Sequence, residues 1–149
     1  MGINELRLIR GGAIWAVRNA RSEPVESSLS AAIDDPDVFV TVGEIDGTVV
    51  GYSVTHIELL HDGSRLAVVD DIYVHPRGRA VSVGESMVDL IIGWASSQGC
   101  LGIDSMALPG DRDTKNFFET FGFKARAIVV HRPLATTDLS GDGLDAEEP

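Results

Sequence analysis

The segment that most restricts the fold of this chain is a β-type run that leads through a short basic turn into a helix-type run. The β-type run covers residues 66–74, the turn covers 75–84, and the helix-type run covers 85–97. The first N–H groups of a helix have no partner within the helix, and the macrodipole makes that end positive. Arg77 and Arg79 add positive charge, and small neighbouring side chains would let a phosphate approach the backbone. The segment therefore predicts a cradle for a phosphorylated ligand.

The length and charge of the chain limit the other options. We expect residues 1–134 to form a single domain and residues 135–149 to form an acidic, disordered tail. The net charge of −11 argues against nucleic-acid binding, because phosphate backbones select basic proteins. The five acidic residues of the tail account for part of this charge, and without them it is −6. Solubility is the simpler interpretation of the acidic surface, although such a surface also attracts amines and basic peptides.

Cysteine usage and hydropathy argue against several classes of site. Cys100 is the single cysteine, which excludes an internal disulfide and any zinc site with two or more cysteine ligands. The four histidines do not have the spacing of a metal motif. The sequence shows neither a long apolar segment nor a signal-peptide pattern, so we expect a cytoplasmic protein without a membrane span.

Three consecutive β-type runs precede the basic turn, at residues 38–45, 48–57 and 65–74. The tight turn Asp46-Gly47 and the loop 61–64 join them, which predicts an antiparallel meander. The helix that follows the basic turn has its apolar residues at helical spacing, namely Val83, Met87, Leu90, Ile91 and Trp94.

A further β-type run at residues 101–108 completes a right-handed βαβ crossover. A first strand around Leu6 and Leu8, weak helix between residues 13 and 33, a short helix around Phe117 and Phe118, and a last strand at 123–132 complete the prediction.

This order of elements resembles the GNAT superfamily of N-acetyltransferases, over about residues 38–134. The resemblance is strongest in Asp-Asp-Ile-Tyr-Val-His-Pro at 70–76 and in Asn-Phe-Phe-Glu-Thr-Phe-Gly-Phe at 116–123. The family's cofactor turn, Arg/Gln-x-x-Gly-x-Gly/Ala, fits at Arg79 and Gly84, with Ala80 and Ser82 where glycine is usual. The resemblance implies an α/β (in some schemes α+β) fold, with a mixed, mostly antiparallel twisted sheet and helices on both faces.

The resemblance also implies acetyl-CoA as co-substrate. The backbone of Ile72, Tyr73 and Val74 would hold the pantetheine arm like an added strand, in a gap beside the strand at 101–108. An N–H near Tyr73 or Val74 would polarise the thioester carbonyl, and Phe118 would pack on the arm. The pyrophosphate would be bound by Arg77 and by the backbone N–H groups of Arg79, Ala80, Val81, Ser82, Val83 and Gly84.

Two adjacent carboxylates, Asp70 and Asp71, are the candidate catalytic bases. Asp is depleted in strands, and strand alternation predicts that the two side chains point to opposite faces. The resemblance favours Asp70, with Asp71 second, while a structural role for either in binding an arginine or a backbone N–H is an equal alternative. His56 could also reach the mouth of the site from its strand, and Glu44 and Glu58 are lesser candidates.

Phe118 stands where the family usually has a tyrosine general acid, and a phenyl ring cannot donate a proton. A thiol has a pKa of about 8.5, so a thiolate can leave without full protonation. The substitution therefore predicts a slower enzyme, or a substitute donor such as Tyr73, Ser105 or a water molecule.

The function that the resemblance implies is transfer of an acetyl group from the CoA thioester to a primary amine, by direct attack in a ternary complex. A small amine or a basic peptide would be the acceptor, and a homodimer is one option for the assembly. Two alternatives remain open at the sequence level. One is a catalytically silent acyl-CoA-binding or regulatory domain, which Ala80, Ser82 and Phe118 favour. The other is a nucleotide-binding domain that uses the same turn.

Overall fold

The sheet at the centre of the structure has four strands in chain order. The computed structural model describes residues 25–79, 82–108 and 110–135. Strands β1 (Val38–Ile45), β2 (Thr48–Leu59), β3 (Arg65–Val74) and β4 (Cys100–Ser105) lie side by side in that order. The first three are antiparallel and β4 runs parallel to β3. This arrangement confirms the predicted mixed, mostly antiparallel sheet, in which a meander is followed by a parallel return.

The turns between the strands have the chemistry that the sequence predicts. Asp46 and Gly47 take positive φ values of 50° and 80°, which suit the hairpin between β1 and β2. Between β2 and β3, the Oδ1 atom of Asp62 accepts hydrogen bonds from the backbone N–H and the hydroxyl of Ser64, at 3.0 and 2.6 Å. These bonds lower the pKa of Asp62 from its usual value. Local side-chain and backbone preferences therefore set these strand boundaries.

The described residues form four helices, namely α1 (Val25–Asp34), α2 (Pro76–Arg79), α3 (Val83–Ser97) and α4 (Arg112–Glu119). Helix α1 contacts β1, and α3 contacts all four strands. Gly99 ends α3 with a φ of 73°, and the Oδ1 atom of Asp111 accepts the N–H of Thr114 at 3.3 Å to cap α4. None of the described helices is both long and apolar enough to cross a bilayer.

The core lies between α3 and one face of the sheet. Met87, Val88 and Ile91 of α3 are each 1% exposed. At one end of the helix the ring of Trp94 stacks on Phe39 of β1, with centroids 5.0 Å apart. Leu90, expected on the buried face, is 55% exposed, because the helix turns Val88 toward the sheet in its place. The buried stripe follows i, i+4 spacing along the helix.

A buried hydrogen bond joins the first two strands beneath this helix. Thr41 Oγ1 and Ser53 Oγ lie 2.5 Å apart, and the two residues are 5% and 0% exposed. Each hydroxyl thereby satisfies the other away from water, which a buried polar group requires. Thr41 and Ser53 are direct partners in the ladder, and both lie on the face of the sheet that α3 covers.

The described residues divide into two compact units between Thr114 and Lys115. In the second unit the ring of Phe118 lies 5.3 Å from that of Phe117 and 5.0 Å from that of Phe123. The strand expected at 123–132 is absent, and Ile128, Val129 and Val130 are 84–88% exposed.

The prediction of a last strand was therefore wrong. High β propensity forms a strand only where a neighbouring strand supplies the hydrogen bonds, and residues 123–135 have no such ladder. The strand expected near Leu6, the part of the weak helix expected at residues 13–24 and the acidic residues 136–149 lie outside the described residues.

Close packing of α3 on the sheet depends on Gly43 of β1. A Cβ atom at Gly43 would overlap Cγ1 of Val83, whereas a Cβ at Gly93, on the exposed side of α3, would meet nothing within 4 Å. We expect Gly43→Ala to lower the free energy of unfolding by about 1–3 kcal/mol through overpacking. Gly93→Ala should raise it by roughly 0.5–1 kcal/mol through helix propensity. Urea unfolding midpoints measure both, and equal effects of the two changes would contradict this packing.

Candidate active site

Strands β3 and β4 are paired along only the first half of β3. Their ladder runs from Arg65 paired with Cys100 to Val69 paired with Ser105, where β4 ends. Residues 70–74 of β3 continue beside β2 without a β4 partner. We call this stretch the open edge of β3. An unpaired edge presents backbone N–H and C=O groups that can bind another extended chain.

Strand alternation shows which backbone groups face the open edge. The N–H of His75 donates to Val50 O at 2.6 Å, so this group points toward β2. Backbone groups of successive strand residues point to alternate sides, which directs Tyr73 N–H toward β2 as well. The N–H groups of Ile72 and Val74 therefore point toward the open edge. Of the three residues predicted to hold a pantetheine arm, these two have donors on that side.

The end of β3 is closed by the basic turn. Arg79 Nε donates to Val74 O at 2.9 Å, and Gly78 N–H donates to His75 O at 2.8 Å. A Cβ at Gly78 would approach Val50 Cγ2 to 2.9 Å, so this tight turn requires glycine. The side chain of Arg79, one of the two arginines expected to add positive charge to the turn, is thus held at the end of the strand.

The residue that precedes α3 has a strained backbone conformation. Ser82, the N-cap, has φ 62° and ψ 28°, in the left-handed region, and its side chain makes no capping hydrogen bond. Its carbonyl accepts both the N–H and the hydroxyl of Ser86, each at 3.1 Å. The first N–H groups of a helix have no partner within the helix, and Ser82 supplies no side-chain cap. The N–H groups of Val83 and Gly84 therefore have neither kind of partner. Such an end attracts anions.

Three predicted features of this turn cannot be placed. Ala80 and Val81 lie outside the described residues, as does the side chain of Arg77. Their proposed contacts with a pyrophosphate therefore stay predictions. Ser82 itself has a left-handed backbone conformation, which glycine adopts at lower cost.

A β-bulge in β3 places the two candidate carboxylates. Val54 of β2 pairs with Asp71 and Thr55 pairs with Val69, so Asp70 is an extra residue in β3. Asp71 lies on the same face as Val54 and Tyr73, and is 2% exposed. The prediction that the two side chains point to opposite faces was wrong, because the bulge interrupts the two-residue alternation.

The side chain of Asp70 contacts a histidine on the neighbouring strand. Its Oδ2 atom lies 2.6 Å from Nδ1 of His56, and the two side chains are 35% and 39% exposed. His56 and Val54 lie on the same face of β2, two residues apart, which is the face turned away from α3. The sequence suggested His56 only as a residue near the mouth of the site. Its pairing with Asp70 depends on the bulge, for which the sequence carries no clear signal.

Other polar residues line the same face near the point where β3 and β4 separate. Asp104 of β4 pairs with Val68, which in turn pairs with His56, so the three form one row across the sheet. The rings of Tyr52 and Tyr73 lie 6.3 Å apart on this face. Within the described residues no group of three or more histidine, cysteine or carboxylate side chains has the geometry of a metal site. The face therefore combines negative charge with one histidine.

The remaining candidates are two strand carboxylates and one phenylalanine of the second unit. Glu44 and Glu58 are exposed on their strands. Phe118 is 6% exposed, and its described ring contacts are with other phenylalanines of the second unit. Its proposed contact with the pantetheine arm stays a prediction.

Comparisons with solved structures identify proteins of the same fold. The BH1408 protein of Bacillus halodurans, solved as a tetramutant, is 20% identical with a TM-score of 0.74, over 89% of this chain and 87% of its own. AAC(6′)-Iy, an aminoglycoside N-acetyltransferase solved with the bisubstrate analogue CoA-S-monomethyl-acetylneamine, is 18% identical with a TM-score of 0.65, over 89% and 94%.

A third neighbour has the same architecture. It is the aminoglycoside acetyltransferase meta-AAC0020, from an uncultured soil metagenomic sample and solved with sisomicin. It is 18% identical with a TM-score of 0.64, over 90% of this chain and 87% of its own. At these identities the likeness establishes the fold alone. No curated protein matches the chain at the sequence level.

The family comparison agrees with the geometry. The model of the Acetyltransferase (GNAT) family matches residues 13–123, which include the open edge of β3, the basic turn and α3. This matched region contains the meander β1–β3, the open edge of β3 and the helix α3 that follows it. The chain belongs to the GNAT family of acetyltransferases.

Proposed function

We propose that this protein transfers an acetyl group from acetyl-CoA to a primary amine, with both substrates bound together. The observation that carries the proposal is the open edge of β3, which ends beside the uncapped N-terminus of α3. One extended ligand with an amide-containing arm and a pyrophosphate would match both features. The family assignment supports acetyl transfer, and the residues below supply the finer detail.

The described residues fit acetyl-CoA as the acyl donor. The N–H groups of Ile72 and Val74 would hold the pantetheine arm, as an added strand binds a sheet edge. Arg79 already donates to Val74 O, so the carbonyl next to these donors is engaged by the protein itself. The N–H groups of Val83 and Gly84, at the positive end of α3, would bind the pyrophosphate. Acetyl-CoA itself supplies a thioester, whose carbonyl carbon is open to attack by an amine.

The chemistry that remains for the protein is proton removal and stabilisation of developing charge. An amine attacks only as the neutral species, so a base near the open edge must accept its proton. Asp70 and its partner His56 lie at the point where this edge begins. An N–H of Ile72 or Val74 would donate to the carbonyl oxygen as negative charge develops there. Asp71 has a structural role in this scheme, since it is almost fully buried.

The acceptor that best suits the site is a cationic amine. Asp70 and Asp104 lie on the face where the acceptor would approach, and the chain has a net charge of −11. Negative potential raises the local concentration of cations and speeds their encounter with the protein. Two of the structural neighbours are aminoglycoside acetyltransferases, and aminoglycosides are polyamines. Small polyamines and basic peptides are therefore the acceptor classes to test.

A second candidate is an acyl-CoA-binding domain without turnover. Phe118, at the position of the usual tyrosine acid, lies among phenylalanine rings and has no hydroxyl to donate a proton. A general acid contributes roughly 10²–10⁴-fold in rate, so its loss alone slows transfer without abolishing it. CoA leaves as a thiolate of modest basicity. Transfer at a reduced rate therefore remains the better proposal.

A negative charge introduced at Ser82 tests whether the N-terminus of α3 binds the pyrophosphate. Asn and Asp both tolerate the left-handed backbone of Ser82, and they differ by one negative charge. We expect Ser82→Asp to weaken acetyl-CoA binding at least tenfold, because the carboxylate would compete with the phosphates for the N–H groups of α3. Ser82→Asn should change the Kd less than threefold. Isothermal titration calorimetry measures both.

Thermal unfolding of the two variants supplies the control for this experiment. An acidic residue at a helix N-terminus stabilises the helix, so Ser82→Asp should fold at least as stably as Ser82→Asn. Weaker binding by a protein of undiminished stability would then report the site itself. Equal Kd values for the two variants would contradict phosphate binding at α3.

Turnover tests the reaction. Thiol release from acetyl-CoA should rise above the amine-free rate with at least one acceptor from a panel of sisomicin, spermidine and a lysine-containing peptide. Mass spectrometry should show one added acetyl group on that acceptor. Acetyl-CoA binding without turnover on any of the three would favour the silent domain. Tight binding of ATP with none of CoA would overturn the assignment of the donor.

A further inference from the structure

We propose that His56 is the group that takes the proton from the amine, and that Asp70 is a positioning residue that holds its imidazole. The inference rests on the proposed function and names the base within it. Its starting point is the 2.6 Å contact between His56 Nδ1 and Asp70 Oδ2 across β2 and β3. The carboxylate predicted from the sequence to act as base is therefore already engaged with a second titratable group.

The contact determines which ring nitrogen is available. An ionised carboxylate can only accept a hydrogen bond, so the proton of the neutral imidazole lies on Nδ1 and points to Asp70. The lone pair is then on Nε2, on the far side of the ring from Asp70. His56 is 39% exposed, which leaves room for an acceptor or a water molecule to approach. An imidazole is generally a stronger base than a carboxylate by more than two pKa units, which suits proton removal near neutral pH.

The position of the pair in the sheet agrees with this role. Asp70 directly follows Val69, the last residue of β3 that pairs with β4. The extra residue of the bulge is Asp70 itself, and bulges commonly redirect a side chain next to an active site. Ile72, whose N–H faces the open edge, is two residues farther along, or roughly 7 Å at the usual strand rise. The acceptor amine would reach His56 from this exposed face of the sheet, directly or through water.

The step balances without a further reactant. The amine nitrogen forms a bond to the acetyl carbonyl carbon, and its proton passes to His56 Nε2. The bond between that carbon and sulfur breaks, and the sulfur keeps the electron pair and leaves as the CoA thiolate. The imidazolium, stabilised by Asp70, then releases its proton to water or to the thiolate. The products are the acetylated amine and CoA, and the imidazole is again neutral.

The first test uses the protein without substrates. Long-range ¹H–¹⁵N NMR distinguishes the two neutral tautomers of each histidine. We expect His56 to be protonated on Nδ1 in the wild type. In Asp70→Asn the side-chain amide can donate to Nδ1, so the proton should move to Nε2. His61, exposed in the loop between β2 and β3, serves as internal control and should not change. Protonation of wild-type His56 on Nε2 would overturn the inference while leaving the proposed function intact.

The second test uses the best acceptor of the amine panel. His56→Gln should lower kcat by roughly 10²–10⁴-fold, as loss of a general base does, with little change in the KM for acetyl-CoA. Asp70→Asn should lower kcat by a similar factor because it imposes the wrong tautomer. The double variant should be no slower than His56→Gln alone, because the two residues act as one unit. His61→Gln is the matched control and should keep the wild-type rate.

Chemical rescue separates catalysis from structure. Imidazole added to His56→Ala should restore part of the lost kcat in proportion to its concentration, and should do nothing for Asp70→Asn, where the ring is still present. Two results would overturn the role of His56 and leave the proposed function intact. One is turnover by His56→Gln within threefold of the wild-type rate, and the other is a His56→Ala variant whose lost activity imidazole does not restore. Binding of acetyl-CoA without turnover by the wild type would overturn the proposed function and this inference together.

Discussion

The site depends on one constraint, the loss of pairing between β3 and β4 after Val69 and Ser105. Backbone N–H and C=O groups are strong hydrogen-bonding groups, so a strand without a neighbour must be served by water, a side chain or a ligand. Arg79 donates to one carbonyl, that of Val74, and the N–H groups of Ile72 and Val74 point toward the open edge of β3. An extended ligand can bind there without any change in the sheet, which is why the acyl donor and the reacting groups are proposed along this line.

Two irregular backbone positions, the bulge at Asp70 and the left-handed Ser82, lie at the start of the open edge of β3 and beyond its end in the sequence. The bulge at Asp70 turns its carboxylate to the face where His56 lies. On the other face, Gly51 allows close packing of α3, since a Cβ there would come within 2.7 Å of Tyr73 O and 3.3 Å of Met87 Cε. The helix then begins at Ser82, in a left-handed conformation that costs a non-glycine residue about 1–2 kcal/mol. The packing of α3 on the sheet offsets that cost and holds the helix N-terminus near the strand end.

Much of the fold could be predicted from local patterns. The bounds of β1 and β3 agree with the sequence analysis because Asp46-Gly47 and residues 61–64 form turns by their own chemistry. Two predictions were wrong where a tertiary partner decides the outcome. Leu90 faces solvent because the helix rotates Val88 inward, and residues 123–132 form no strand because a strand needs a neighbour. The orientation of Asp70 was also beyond local prediction, because its side chain can be assigned to a face of the sheet only once the bulge in β3 is known.

The sequence by itself determined the order of elements, the positions of the turns and the family resemblance, because these depend on residues close together in the chain. It also identified Asp70, Ser82 and Phe118 as the residues to examine. The tertiary structure alone decided which residues meet. The register of β2 on β3 brought His56 to Asp70, fourteen residues away, and the end of β4 at Ser105 opened the edge beside them. Ladder register depends on hydrogen bonds between distant segments, so no local pattern in the chain encodes it.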